Sequence, residues 1–310
     1  MRRRPKFSKD CGKRKSKTQS EFVNVETSAN QEAESTVSQI DPIRHFQSLM
    51  ECPDEQVNLA EAALAIAATE YYDLDPAPSI ELLDRLAARV QAGPELSALA
   101  NIAAINKVLF DEENFSGNKE EYDDPRNSFL NDVLQRKKGI PITLSLVYTE
   151  VARRKKLPLL GVGFPGHFLV KHPGPPAEIV IDPYHRGTVL APADCLALLQ
   201  EHFGPEADLK SEYFAVATKK QILARMLNNL KGSYYRRNNY PKVLTMIELA
   251  LATGEEVLSN LRDRGMVYFA MRRYSDAVGE LKTYLTLAGK DDPEVQEVLQ
   301  MLGRIKGMMN

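Results

Sequence analysis

GIPITLSLVYTEVARRKKLPLLGVGFPGHFLVKHPGPPAEIVID, residues 139–182, contains the change of period that decides the fold. Gly139-Ile140-Pro141 breaks the chain and restarts it as a long helix, because proline fits a first helical turn, where its missing N–H is no loss. Between Pro158 and Pro183 the pattern becomes alternation and short apolar runs (LLGVGF, HFLVK, EIVIDP), separated by Gly and Pro. That composition predicts antiparallel strands, with the turn at 173–176 bringing two of them side by side. One long helix on a small antiparallel sheet, with His167 on one strand and Asp182 ending the next, predicts an α+β core.

Upstream of this stretch, from Asp41, the spacing is helical. EQVNLAEAALAIAATEYYD places Leu59, Ala62, Ala63, Ile66 and Ala67 on one face; IELLDRLAARVQA follows a possible cap at Ser79; PELSALANIAAINKVLFDEE aligns Leu96, Leu99, Ile102, Ile105, Val108 and Leu109. Gly117 and Asp124-Pro125 punctuate a loop before the short helix NSFLNDVLQRK, and Pro192 opens ADCLALLQEHFG. Downstream, an offset of 34 residues matches Leu227 with Leu261, Tyr234 with Tyr268, Tyr240 with Tyr274, Val243 with Ala277 and Ile247 with Leu281. Thirty-four is the period of a tetratricopeptide repeat, and PEVQEVLQMLGRIKG would cap the pair. The expected organisation is a tail over 1–40, an α+β domain over 41–207, a linker over 208–218 and an all-α repeat array over 219–310.

A chain of 310 residues with 43% apolar and 26% charged residues has room for two modest domains. Cys11, Cys52 and Cys195 lie far apart without a CxxC pair, which excludes a disulfide framework or zinc knuckle and suits a reducing cytoplasm. No apolar run approaches the roughly 20 residues that span a bilayer, and no secretory signal is expected at the start. Residues 1–20 hold nine Arg and Lys against Asp10 alone, +8, so a chain of net −2 carries −10 elsewhere. Such a tail, followed by polar EFVNVETSANQEAESTVSQ, is expected to be disordered; it is a solvated extension or a phosphate-contacting tether, and nucleic acid is expected to bind only there.

The residues 139–182 also carry the chemistry. In a transglutaminase-like or papain-like core, a cysteine at a helix N-terminus pairs with a histidine on a neighbouring strand, which an aspartate orients. His167 and Asp182 have that strand context. Counting back without gaps from Leu157-Pro158, the usual end of the helix, puts Pro141 where the cysteine belongs, and proline offers no nucleophile. Thr143 and Ser145 are the nearest hydroxyls: they would either be activated by His167 and oriented by Asp182, or simply cap and line the first turn. No GxSxG elbow accompanies them. Arg126 and Asn127 either join this pocket or cap the helix that follows. His167, Asp182 and His185 are metal-ligating types, but without HxH or HExxH spacing no metal is expected, and no other cofactor.

Together, PRNSFLNDVL, GIPITLS, PGHFLVK, IDPYHRG and the two repeat units resemble the SirB-one family over residues 41–305. The resemblance implies a papain/transglutaminase-like core without its cysteine, followed by tetratricopeptide repeats, in a cytosolic bacterial protein. The long basic tail departs from it. The function expected on these grounds is a non-catalytic module that binds a protein or peptide, with Tyr234 and Tyr268 on the second contact surface. The alternative is a hydrolase or acyltransferase using Thr143 or Ser145 with His167 and Asp182.

Overall fold

Ten residues, LAEAALAIAA, form the helix around which the N-terminal half is built. The computed structural model describes residues 41–174, 178–289 and 291–309; the expected tail over 1–40 and part of the turn at 173–176 lie outside them. Helix α1 (Pro42–Met50) starts under an Asp41 cap, Oδ1 accepting from the Ile43 amide at 3.0 Å, with proline in the first turn. Helix α2 (Leu59–Ala68) buries eight of its ten residues instead of the single face that its spacing predicts. Its alanines let neighbouring helices close on every side.

Helix α3 (Ala77–Arg89) begins two residues before Ser79, its first turn held by Asp75, which accepts from the Ala77 amide, so Ser79 is not the cap. Helix α4 (Ala98–Asn106) is capped by Ser97 and then passes into a π-helical turn at Lys107–Glu112. The wider turn rotates Val108, Leu109 and Phe110 into the core, while Leu96 (46% exposed) and Leu99 (57%) fall off the expected face. The two-residue strands β1 (Ser116–Gly117) and β2 (Lys138–Gly139) pair in parallel on either side of α5 (Leu130–Arg136).

The long helix α6 (Pro141–Arg154) is buried along almost its whole length and separates α3 and α5 from the sheet. That sheet is an antiparallel meander of β3 (Leu160–Val162), β4 (Leu169–His172), β5 (Ile179–Asp182) and β6 (Thr188–Leu190), in register at Val170↔Ile181 and Asp182↔Thr188. Phe168 and Val170 face the α6 side, while Leu169, Val162 and Phe164 pack with Cys195 and Leu199 of α7 (Pro192–Phe203). Alternation along the strand thus supplies both layers.

Helices α8 (Lys219–Arg236), α9 (Tyr240–Ala252), α10 (Val257–Ala270), α11 (Tyr274–Leu287) and α12 (Val295–Met309) form the hairpin array. It leans on the first half. Asp54 accepts from the Lys219 and Lys220 amides at 3.0 and 2.8 Å, a carboxylate supplied from 165 residues away to the N-terminus of α8. One apolar core continues from Phe46 through α6 to Leu227, Leu230 and Leu249, and a separate cluster around Leu281, Tyr284 and Ile305 holds the far end. No helix among the described residues is long and apolar enough to cross a membrane.

Candidate functional site

Asp182 ends β5, where its buried carboxylate meets two imidazoles. Its Oδ1 accepts from the amides of Tyr184 and His185 at 2.9 and 3.3 Å, which fixes the carboxylate plane. Its Oδ2 lies 2.9 Å from His167 Nε2 and 2.7 Å from His185 Nδ1. Burial would raise this carboxyl, but hydrogen bonds and charge from His167 and His185 outweigh it and hold it below the ordinary carboxylate range. The two imidazoles stack at 6.0 Å and 15°, and the Tyr184 ring stands edge-on to both.

His167 lies not on the strand expected for it but in the turn before β4, where the Gly and Pro just ahead of it delay the ladder; it is buried there, its amide donating to Phe164 O at 3.1 Å. Arg225 of α8 secures that turn. Its guanidinium donates to the carbonyls of Phe164 and His167 and lies 5.5 Å from the Phe168 ring, and burial lowers its pKa. The array therefore touches the segment that carries the candidate base. Sequence spacing gave no signal for Arg225, which is 58 residues from its acceptor.

Pro141 occupies the first turn of α6, buried. Thr143 is also buried; its hydroxyl donates to Asn127 O at 2.7 Å and accepts from the Ile140 amide at 3.1 Å. Ser145 donates to Phe168 O at 3.3 Å. Both hydroxyls are thus committed to the backbone, and the side-chain partner of His167 among the described residues is Asp182. Thr143→Val is expected to cost about 1–3 kcal/mol, because it strands a buried amide and carbonyl, whereas Ser145→Ala should cost less than about 1 kcal/mol. Urea unfolding of the two variants checks this; equal losses would refute the assignment of Thr143 as a helix-starting clamp.

Asn127 does not cap the helix that follows. Its amide donates to the carbonyls of Glu121 and Tyr122 and its Oδ1 accepts from Asn118, so it braces the 118–127 loop. Arg126 pairs with Asp124. Cys195 is buried beneath the sheet, with its thiol pushed up chiefly by burial. Tyr234, expected on a partner-facing surface, turns inward instead: it is 5% exposed and its hydroxyl donates to Glu70 at 2.7 Å. Helical spacing shows that a residue is on a face but not which neighbour covers it. Tyr268 is half-buried under the Arg273 guanidinium, 4.4 Å from the ring.

Beside Asp182 and His185 a cleft of about 320 Å³ opens, lined also by Thr188, Leu190, Asp194, Leu198 and Glu201. A helix packed on an antiparallel meander, an oriented His–Asp pair and a helical hairpin array together define a transglutaminase-like domain followed by tetratricopeptide repeats. Family comparison agrees: a Transglutaminase-like superfamily model matches residues 78–228 and a Tetratricopeptide repeat model matches residues 230–303. The chain is 34% identical over 270 residues to a UPF0162 protein of Xylella fastidiosa, covering 86% of this chain and 95% of that one. It is 28% identical to a UPF0162 protein of Vibrio cholerae over 74% of this chain and 86% of the relative. The chain belongs to the UPF0162 family. F-box only protein 21 of Mus musculus is 32% identical over 177 residues, 54% of this chain but 27% of that protein. No solved structure matches the chain.

Proposed function

We propose that this chain is a non-catalytic transglutaminase-like protein of the bacterial cytoplasm, of the SirB-one lineage, that binds a protein or peptide partner through its repeat array. The observation that carries the reading is a groove of about 470 Å³ between α8, α10 and α12, floored by Val243, Met266, Val267 and Val298. Asn228 lines it with an Oδ1 that is buried without a hydrogen-bond partner, while its amide donates to Glu256 at 2.7 Å. A buried acceptor of this kind invites a donor from outside. At the rim, Lys231 pairs with Asp263 at 2.7 Å, and Arg262 pairs with Asp263 and Glu294, which orders the groove before anything enters it. Tyr235, 51% exposed, offers the aromatic contact that Tyr234 does not.

The commitment of Thr143 and Ser145 to backbone carbonyls, with Pro141 at the helix start, supports the non-catalytic part. A fluorophosphonate probe is expected to leave the folded protein unlabelled; His167-dependent labelling would overturn that part. For binding, a photo-crosslinking residue placed at Tyr235 should capture a discrete partner, and one at Tyr72, 68% exposed and outside the groove, should not. The same products from both positions would refute the groove.

A further inference from the structure

We propose that His167, Asp182 and His185 form a binding site for one divalent transition-metal ion of the zinc class. Each of the three offers one ligand atom within 4.8 Å of the other two, and Asp182 Oδ2 lies 2.9 Å from His167 Nε2 and 2.7 Å from His185 Nδ1. They come from three segments: the turn before β4, the end of β5 and the 3₁₀ turn Pro183–His185. Two imidazoles and one carboxylate are the donor set that zinc takes in three-ligand sites with a fourth position left to water, and the same set suits ferrous iron. Imidazole donors favour such ions over magnesium or calcium, which prefer oxygen.

The site is built before any ion arrives. The amides of Tyr184 and His185 occupy Asp182 Oδ1, so Oδ2 alone is aimed at the imidazoles. The turn behind it is closed by the Gly187 amide to Asp182 O at 2.8 Å and by the Asp182↔Thr188 register. Ligands fixed by such outer contacts on rigid elements are what metal affinity requires. The carboxylate of Asp182 is fully buried, so part of the desolvation that ligation costs is already met in the fold.

Access and charge also fit. The cleft beside Asp182 and His185 carries the carboxylates of Asp194 and Glu201, which raise the local cation concentration. The fourth position would face that cleft, where water can reach it. Tetrahedral bonds of ~2.0–2.1 Å place donor atoms ~3.3 Å apart, so the 2.9 and 2.7 Å separations must open by about half an ångström. The His185 side chain, 42% exposed, can make that movement without disturbing the core. Asp182 and His185 stand three residues apart, a spacing that metal ligands often use, but His167 lies 15 residues from Asp182, so only the folded chain brings the three together.

The inference is independent of the proposed partner-binding role and is tested on the full-length chain, stripped with a chelator and dialysed against Zn(II) or Co(II). Elemental analysis should then find about one ion per chain, and the Co(II) form should show the visible absorption of a four-coordinate site. His185→Ala, at a half-exposed position that the fold tolerates, should weaken retention at least ~10-fold. His172→Ala, whose Nδ1 accepts from the Gly174 amide outside the cluster, should retain the ion fully. No retained ion at tens of micromolar free metal, or equal retention by His185→Ala, would overturn the proposal.

Discussion

Gly187→Ala is expected to lose about 2–4 kcal/mol of stability, seen as a fall of roughly 5–15 °C in the far-UV circular dichroism melt. Gly187 sits at φ +71°, in the left-handed region that costs a residue with a Cβ about 1 kcal/mol or more. A Cβ there would also overlap the Asn106 carboxamide. Asn106 cannot retreat, because its Nδ2 donates to Gly187 O at 2.8 Å while its Oδ1 accepts from Tyr148 OH at 2.9 Å. Tyr148 is itself fully buried on α6. The overlap and the backbone cost are separable. Gly254, at φ +76° with no atom within 4 Å of its would-be Cβ, carries the backbone cost alone, so Gly254→Ala should lose only about 1 kcal/mol. Equal losses at the two positions would show that the Asn106 contact is irrelevant.

Asp182→Ala is expected to cost about 3–5 kcal/mol, because it removes the acceptor shared by two imidazoles and two amides. His167 is deeply buried and cannot turn to water for a substitute. His185 can, so His185→Ala should cost less than about 1 kcal/mol. A double-mutant cycle between Asp182→Ala and His167→Ala should return a coupling of about 1–3 kcal/mol, since the second truncation removes the group that the first left unpaired. Additive losses in urea unfolding would mean that the pair does not stabilise the fold and that the carboxylate is held by the amides alone.

Much of this architecture was legible in the chain. The change of period after Pro158, the 34-residue repeat and the proline at the start of α6 each rest on local rules: alternation across a strand, helical spacing and the missing N–H of proline. Counting back from Leu157-Pro158 placed Pro141 at the position where a thiol enzyme carries its cysteine, and the structure has Pro141 in the first turn of α6. The errors have a common origin. Ser79 and Asn127 are good capping types, but the chain offered Asp75 for one helix and used Asn127 to hold a loop. A cap depends on backbone geometry at a single residue, and composition does not fix that. The run 94–113 is apolar with helical spacing throughout, yet the helix starts only after the Ser97 cap, leaving Leu96 outside it and Leu99 exposed in its first turn, and a π turn follows at Lys107–Glu112.

The sequence by itself determined the main helices, three of the strands and their order, and singled out His167 and Asp182 as candidates, because helical and strand spacing act within a few positions along the chain; the short strands β1, β2 and β6 show no period and emerged only in the fold. Only the tertiary structure decided what those elements face. It turned Tyr234 onto Glu70, brought Arg225 across to the carbonyl of His167 and set His185 against the same carboxylate oxygen as His167. Each of these depends on how helices and strands pack across the core, and periodicity shows that a face is buried without specifying its neighbour.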